Sequence, residues 1–328
     1  MASGSKKVIY AALVGNSLIS VTKFVAASIT GSSAMLSEGI HSLVDTGNQG
    51  LLLMGIAKAK KPADERFPFG HGKEIYFWSF IVAILIFAVG SGISIYEGIH
   101  HLIHPAEMKD PTINYIVLGL AMVFEGVAWW MAFKEFNLTR RGQTYFETVK
   151  RAKDPTIFVV LFEDSAAMLG LVVAFLGILI GQLTGNPYFD GAASILIGFI
   201  LAGTAIWLAW ETKSLLIGEA AEPRLIKAIR EQAGQLPQVV EVNEVLTLHM
   251  GPDFVLVNMS VDFADHATAG ELEEAVAALD EAIRSKHPRV KRVFIEAEAS
   301  KKARLALASA DGPPSSPADA GDAPPSVS

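Results

Sequence analysis

The sequence of 328 residues contains no cysteine. This absence excludes disulfide bonds, cysteine-ligated zinc, iron–sulfur clusters and thiol nucleophiles. Charged residues are also few, at 19%, whereas hydrophobic residues make up 51% of the chain. Such a composition is too apolar for a disordered protein and unusual for a soluble one of this length. The net charge of −7 argues against nucleic acid as a partner, because nucleic-acid-binding surfaces carry an excess of positive charge.

Motifs of the common enzyme classes are absent as well. The sequence has no GxxxxGK(S/T) loop for nucleotide phosphates and no HExxH motif of zinc hydrolases. No arrangement of Ser, His and Asp typical of a hydrolase stands out. We therefore expect a protein that is not an enzyme and that does not hydrolyse ATP.

The few charges are distributed unevenly along the chain. Residues 1–218 contain 16 Lys and Arg against 16 Asp and Glu, whereas residues 219–328 contain 11 against 18. We predict a transmembrane domain over 1–218 and a small cytoplasmic α+β domain over 219–299. The tail 300–328 has too few large apolar residues to pack and is expected to be disordered.

Six apolar stretches are long enough to cross a bilayer, which takes about 20 residues in a helix. They predict an all-α, six-helix transmembrane domain with both termini in the cytoplasm. Lysine and arginine set this orientation, since thirteen of them flank the amino terminus and the second and fourth connections, whereas the other connections contain only Lys109. The six stretches lie at 8–29, 33–57, 76–99, 113–133, 156–181 and 191–213.

The carboxy-terminal part alternates between helical and strand patterns. Apolar residues recur at core spacing in the helical stretches and every second residue in the strands. The resulting α-β-β-α-β order predicts a small α+β sandwich. The expected elements are a helix at 223–235, strands at 239–249 and 254–263, a helix at 269–286 and a strand at 290–297.

Ionisable side chains within the second span form the clearest functional signal. Glu38, His41, Asp45 and Asn48 are three, four and three residues apart, so they line one face of a helix. A charge inside a membrane is unfavourable by a few kcal/mol on the mildest scale and usually marks function. One nitrogen and one oxygen ligand from His41 and Asp45 suit a divalent transition metal better than Mg²⁺ or Ca²⁺.

The fifth span contributes a further acidic side chain at a similar depth. Asp164 lies about nine residues from the cytoplasmic end of its span and Asp45 about twelve, a difference of about 5 Å. Small residues at four-residue spacing follow Asp164 and permit close helix packing. We therefore predict that His41, Asp45 and Asp164 meet at one metal site.

Other polar residues in the spans are expected to be structural. Lys23 in the first span and Glu125 in the fourth could form an ion pair or belong to a proton relay. His100, His101 and His104 follow the third span. A solvated loop is a simpler explanation for these three histidines than a metal site.

Several of these motifs together resemble a known family of membrane proteins. HSLVD in the second span, PFGHGK at 68–73, six spans and a small α+β domain are similar to the cation diffusion facilitators. The phrases LFEDSAAMLG and TGNPYFD resemble the branch that contains the mitochondrial zinc transporter of animals and its bacterial relatives. The resemblance implies a homodimer in a lipid membrane, here a bacterial inner membrane, that exports divalent metal in exchange for protons. It also implies a ferredoxin-like or metallochaperone-like fold for the carboxy-terminal domain, in agreement with its α-β-β-α-β order.

The resemblance also implies which residues hold the transported metal. His41 and Asp45 match the ligand pair of the second span, and Asp164 matches the acid of the pair in the fifth span. The partner of that acid, four residues earlier, is normally His or Asp, but here it is Val160. Asn48, Glu163, Glu38 or water could complete the metal's coordination.

A second metal site is expected to be weak. In the family this site, in the loop after the second span, uses an Asp and two His. Asp64 and His71 match, but Phe67 replaces the other His, and His71 could instead hold the loop in place.

The resulting expectation is a proton-coupled exporter of a divalent metal, with zinc the leading candidate and no resident cofactor. Iron(II), cobalt and cadmium remain open as the transported ion, because nitrogen and oxygen ligation fits them too. Manganese also remains open, because the loss of the second His makes the site richer in oxygen. Two other functions, a metal sensor embedded in the membrane and a membrane metalloenzyme, also remain open, and so does a channel as the transport mode.

Overall fold

A computed structural model describes residues 3–105, 112–139, 144, 148 and 153–299. Contacts divide these residues into two units. The larger unit contains the described residues up to Glu219 together with His249–Phe254, and the smaller unit contains Ala220–Leu248 and the described residues from Val255 onward. The expected disordered tail, 300–328, lies outside the described residues.

The described part of the larger unit is helical. A π-helical segment, Ile86–Ser91, joins the helices Glu74–Leu85 and Gly92–Ile103 into one continuous helical stretch, Glu74–Ile103. The helices are α1 (Ser3–Thr30), α2 (Ser33–Ala59), α3 (Glu74–Leu85), α4 (Gly92–Ile103), α5 (Thr112–Thr139), α6 (Pro155–Thr184) and α7 (Tyr188–Ile217).

Within the described residues, four helical stretches are long and apolar enough to cross a membrane. They are Glu74–Ile103, Thr112–Asn137, Phe158–Thr184 and Tyr188–Ile217. The chain is thus a multi-pass membrane protein by the length and composition of its helices. Helices α1 and α2 are similarly long, at 28 and 27 residues, without being equally apolar.

The apolar side chains on the outside of the bundle fit a lipid environment. On α5, Ile116, Leu120, Val123 and Val127 are all more than half exposed and follow each other at helical spacing. An exposed apolar stripe of this length would cause aggregation in water. The stripe is therefore consistent with a helix whose outer face contacts hydrocarbon.

Glycine allows α4 and α7 to pack with their backbones in close contact. A Cβ atom on Gly98 would lie 2.7 Å from the Gly191 carbonyl oxygen and 2.6 Å from the Ile195 side chain. Such distances are too short for carbon, so neither helix could approach the other with a larger residue at Gly98. This seam places the start of α7 beside the end of α4.

The smaller unit is a three-stranded sheet with two helices. Two of the strands, Phe254–Phe263 and Val290–Ala297, are parallel, and Val257 of the first pairs with Val293 of the second. The helix Ala269–Lys286 connects these two strands. Ile229, Leu279 and Ile283 pack from the helices into the sheet core. The elements are α8 (Pro223–Ala233), β1 (Val239–Gly251), β2 (Phe254–Phe263), α9 (Ala269–Lys286) and β3 (Val290–Ala297), with strand order β1-β2-β3.

Candidate metal centre

The polar face of α2 is buried inside the helical unit. His41 and Asp45 are one turn apart, and His41 Nδ1 lies 3.3 Å from Asp45 Oδ1. Both side chains are almost fully buried, with 1% and 3% of their surfaces exposed. The four-residue spacing therefore places an imidazole and a carboxylate together, as helical periodicity requires.

Helix α6 meets this face at Glu163. The Asn48 side-chain amide donates a hydrogen bond of 2.7 Å to Glu163 Oε1. The carboxyl groups of Asp45 and Glu163 also interact electrostatically. Two charged carboxylates repel each other, so a cation between these groups would stabilise both.

Several buried nitrogen and oxygen atoms of this face have no hydrogen-bond partner in the described part of the chain. They include Nε2 of His41 and Oδ1 of Asn48, and also His41 Nδ1 and Asp45 Oδ1, which lie 3.3 Å apart but form no hydrogen bond with each other. Buried polar atoms are normally hydrogen-bonded, because leaving one unpaired is unfavourable by about 1–3 kcal/mol. One nitrogen and two oxygens on the same face are thus available to a ligand.

Asp164 is buried next to this cluster but is not joined to it. It is 7% exposed and lies close enough to Glu163 and Glu125 to interact with them electrostatically. Among the described residues, no three His, Asp or Glu side chains stand in an arrangement that could hold a metal ion. The site of His41, Asp45 and Asp164 therefore stays a prediction. Val160 packs against the apolar core.

Lys23 does not pair with Glu125, the partner that the sequence suggested. Its ammonium group lies 3.1 Å from Glu38 Oε2 and donates a 2.7 Å hydrogen bond to Ser42 Oγ, and Lys23 and Glu38 are fully buried. Glu125 Oε1 has no hydrogen-bond partner in the described residues. The pairing follows the rotation of α1 against α2, which a single sequence does not reveal.

The loop after α2 brings together the two residues of the expected weak second site. His71 Nε2 lies 2.8 Å from Asp64 Oδ2, and the Phe67 backbone N–H donates to Asp64 Oδ1 at 2.7 Å. The bond with His71, followed by the one from Phe67, holds the pKa of Asp64 below its usual range. Gly70, at a φ of 81°, closes the turn. These contacts hold the loop in one conformation, and metal binding there stays a prediction.

Two of the three histidines after the third span lie in α4 and not in a loop, which corrects the expectation. Helix α4 continues to Ile103, because the apolar pattern of the third span extends four residues further than expected. His101 is buried, and its Nε2 lies 3.8 Å from Asp190 Oδ2. His100 and His104 are exposed, with ring centres 4.9 Å apart.

Asp190, in the first turn of α7, binds the amino terminus of α2. Its carboxylate accepts hydrogen bonds of 2.6 Å from Ser32 Oγ and 2.6 Å from the Ser33 backbone N–H, and it is almost fully buried. A negative charge is favourable at this end of a helix, where backbone N–H groups lack partners. We call this contact the Asp190 clasp. Sequence patterns do not predict this contact, because Ser33 and Asp190 are 157 positions apart.

Comparison with known proteins identifies relatives of the helical unit. The family model of the cation efflux transmembrane domain matches residues 9–217. The mouse (Mus musculus) protein named proton-coupled zinc antiporter SLC30A9, mitochondrial, is 34% identical over 262 residues, which cover 79% of this chain and 46% of the mouse protein. The chain thus spans about half the length of the curated relatives of this kind.

A second transporter and one solved domain also match the chain. An uncharacterized transporter of Methanocaldococcus jannaschii is 23% identical over 293 residues, which cover 89% of this chain and 98% of that protein. The solved carboxy-terminal domain of MamM, in a nickel form, aligns with 24% of this chain and 100% of its own length, at 22% identity and a TM-score of 0.23. A score this low carries no argument about the fold.

Proposed function

Because the chain belongs to the cation efflux family, we propose that it is a secondary active transporter that exports a divalent metal ion in exchange for protons. The observation that carries this proposal is the set of buried, unpaired donor atoms on α2, from His41, Asp45 and Asn48. A divalent cation would satisfy all three. Imidazole and carboxylate must lose their protons to bind metal, so protons and metal compete for the same atoms.

The proposal includes six membrane spans. Helices α1 and α2 would cross as well, because at about 1.5 Å per residue each is longer than the hydrocarbon core of a bilayer, about 30 Å thick. The polar groups of α2 point into the bundle, where neighbouring helices shield them from lipid. With positively charged residues kept inside, both termini would be cytoplasmic, in the inner membrane if the protein is bacterial.

Within this transporter, His41, Asp45 and Asp164 are the proposed protein ligands of the metal. Asn48 is the proposed fourth, since its amide nitrogen is occupied by Glu163 while its oxygen is unpaired in the described chain. Two carboxylates and two neutral ligands carry a charge of −2, which a divalent ion neutralises. A rotation of α6 about its axis would bring Asp164 toward α2, beside the position that Glu163 occupies.

Zinc is the proposed cargo. Mixed nitrogen and oxygen ligation suits Zn²⁺, and the mouse relative is named as a zinc antiporter. Nitrogen and oxygen ligands also bind iron(II), cobalt, cadmium and manganese. They define the panel of metals against which zinc is to be tested.

Transport in proteoliposomes tests the proposal directly. With vesicles that are acidic inside, zinc should accumulate above its external concentration, and the vesicle interior should become less acidic as zinc enters. A channel would only equalise zinc across the membrane, so accumulation distinguishes the two transport modes. Vesicles without protein and vesicles without a pH gradient are the controls. If zinc and the other four metals all fail to move protons, the proposed function is wrong.

We further propose that the protein works as a homodimer, as the family resemblance implies. The detergent-solubilised chain, of 35.1 kDa, should then give the protein mass of two copies in light scattering after subtraction of the detergent. A monomer that still transports metal after reconstitution at one chain per vesicle would contradict the dimer.

A further inference from the structure

A lysine is buried in the middle of the helical unit, beside the proposed metal ligands. The side chain of Lys23 on α1 has no exposed surface, and its ammonium group contacts Glu38 and Ser42 on α2. Glu38 precedes His41 by one helical turn on the same face. The lysine is thus placed one turn from the first proposed metal ligand, at a point where a positive charge opposes the entry of a metal ion.

Lys23 is also the only buried Lys or Arg among the described side chains of α1–α7. Its charge acts on Glu38, His41, Asp45 and Glu125. A surplus of acidic groups surrounds it, so a single ammonium group is far from neutralising the cluster. The five buried acids of this region are Glu38, Asp45, Glu125, Glu163 and Asp164.

Glu38 itself lies at the seam between α2 and α6. A Cβ atom on Gly170 of α6 would collide with Glu38 Oε1, so this oxygen rests directly against the α6 backbone. Oε1 has no hydrogen-bond partner in the described residues, whereas Oε2 is held by Lys23. Glu38 therefore has the position and the free oxygen of a metal ligand, but its carboxylate is already paired with a cation.

We propose that Lys23 sets the metal affinity of the transport site by holding Glu38 out of the metal's coordination and by placing one fixed positive charge beside it. This inference rests on the proposed transport function. Without Lys23, Glu38 would join the ligands, and the metal would bind a more negative site from which release is slower. A transporter must release its cargo, so the ammonium group favours turnover at the expense of affinity.

A purely structural role predicts a different result. Replacing both members of a buried ion pair by apolar groups changes stability little, whereas removing one member is strongly destabilising. If the pair only joins α1 to α2, the single variants should therefore have a lower Tm but an unchanged metal affinity in the folded protein. Two measurements therefore distinguish the two roles. One is the Kd for zinc, and the other is whether a variant changes the KM, the maximal rate or both.

The test measures Zn²⁺ binding by calorimetry on the purified full-length protein at one pH, together with zinc transport in proteoliposomes. Lys23→Met should lower the Kd by about ten-fold or more, since a unit charge at this range in a weakly polar interior is worth at least that factor. The KM and the maximal rate should both fall. Lys23→Arg keeps the charge and should stay near the wild-type Kd. Thr22→Val, on the exposed side of α1, is the matched control.

The double variant Lys23→Met with Glu38→Gln isolates the role of Glu38. It restores the wild-type net charge and removes the extra ligand, so its Kd should return to the wild-type range. An unchanged Kd in Lys23→Met, or a double variant that binds as tightly as Lys23→Met, overturns the proposal.

A further single variant covers the case in which Lys23→Met does not fold. Glu38→Gln leaves Lys23 unneutralised and should raise the Kd by about ten-fold, and an unchanged Kd there is equally decisive against the proposal. If the wild-type protein itself transports no metal, the proposed transport function is wrong. If it transports metal and all the variants bind zinc with the same Kd, only the proposed role of Lys23 is wrong.

Discussion

Replacing Asp45 with alanine should reduce metal transport in proteoliposomes to the level of protein-free vesicles while leaving the protein folded. The substitution removes a charged ligand from a buried site, where neither water nor a neighbouring group can take its place at equal strength. His41→Ala and Asp164→Ala should have the same effect. Each is expected to lower the transport rate by at least about 100-fold, because loss of one metal–ligand contact exceeds the loss of an ordinary hydrogen bond.

The control for these three variants is a carboxylate that lies in the same unit but away from the ligands. Glu97→Gln, at a partly exposed position in α4, should transport metal at the normal rate. A monodisperse elution profile and an unchanged Tm would show that each inactive variant is folded. Normal flux in any one of the three, at matched protein levels, would remove that residue from the site.

Asn48→Ala should weaken zinc binding more than Glu163→Gln does. The Asn48 oxygen is unpaired in the described chain and would be a neutral ligand, whereas Glu163 would add a third negative charge to the proposed site of a divalent ion. We expect Asn48→Ala to raise the Kd by about 100-fold, comparable with the loss of a metal-supporting contact. Glu163→Gln keeps an oxygen that can accept the bond from Asn48, so its Kd should change by less than about ten-fold.

Calorimetric titration of zinc into both variants distinguishes the fourth-ligand candidates. If Glu163→Gln abolishes binding and Asn48→Ala is silent, Glu163 is the ligand and the assignment is reversed. If both variants bind like the wild type, water completes the coordination of the metal. Thr46→Val is a suitable control, since Thr46 lies on the opposite side of α2 from Asn48, is partly exposed and donates its hydroxyl to the Ser42 backbone carbonyl oxygen.

The part of the site that depends on one helix could be predicted from the sequence. His41 and Asp45 are in contact because a four-residue spacing fixes their relation, whatever surrounds α2. The relation between helices could not be predicted in the same way. Glu163, and not its neighbour Asp164, contacts α2, and a change of one residue along a helix corresponds to a rotation of about 100°.

Long-range polar contacts escaped sequence reasoning for a related reason. A buried lysine signals that it has a partner, but the sequence suggested Glu125, whereas the rotation of α1 against α2 brings Lys23 to Glu38. The resemblance to the cation diffusion facilitators, by contrast, depends on short motifs whose residues are close in sequence. The helices in the described part of the larger unit and the sheet of the smaller unit follow from apolar periodicity, which is a local property.

The Asp190 clasp gives α2 a fixed pivot. Because the carboxylate on α7 holds the first turn of α2, a tilt of α2 would swing the helix about that end while its far end sweeps the larger arc. At about 1.5 Å per residue the helix is about 40 Å long and His41 lies about 12 Å from the pivot. A tilt of about 10° would therefore move His41 by about 2 Å and the far end by about 7 Å. Such a tilt would open a gap at the far end of α2, whereas His41, a proposed metal ligand, would move much less.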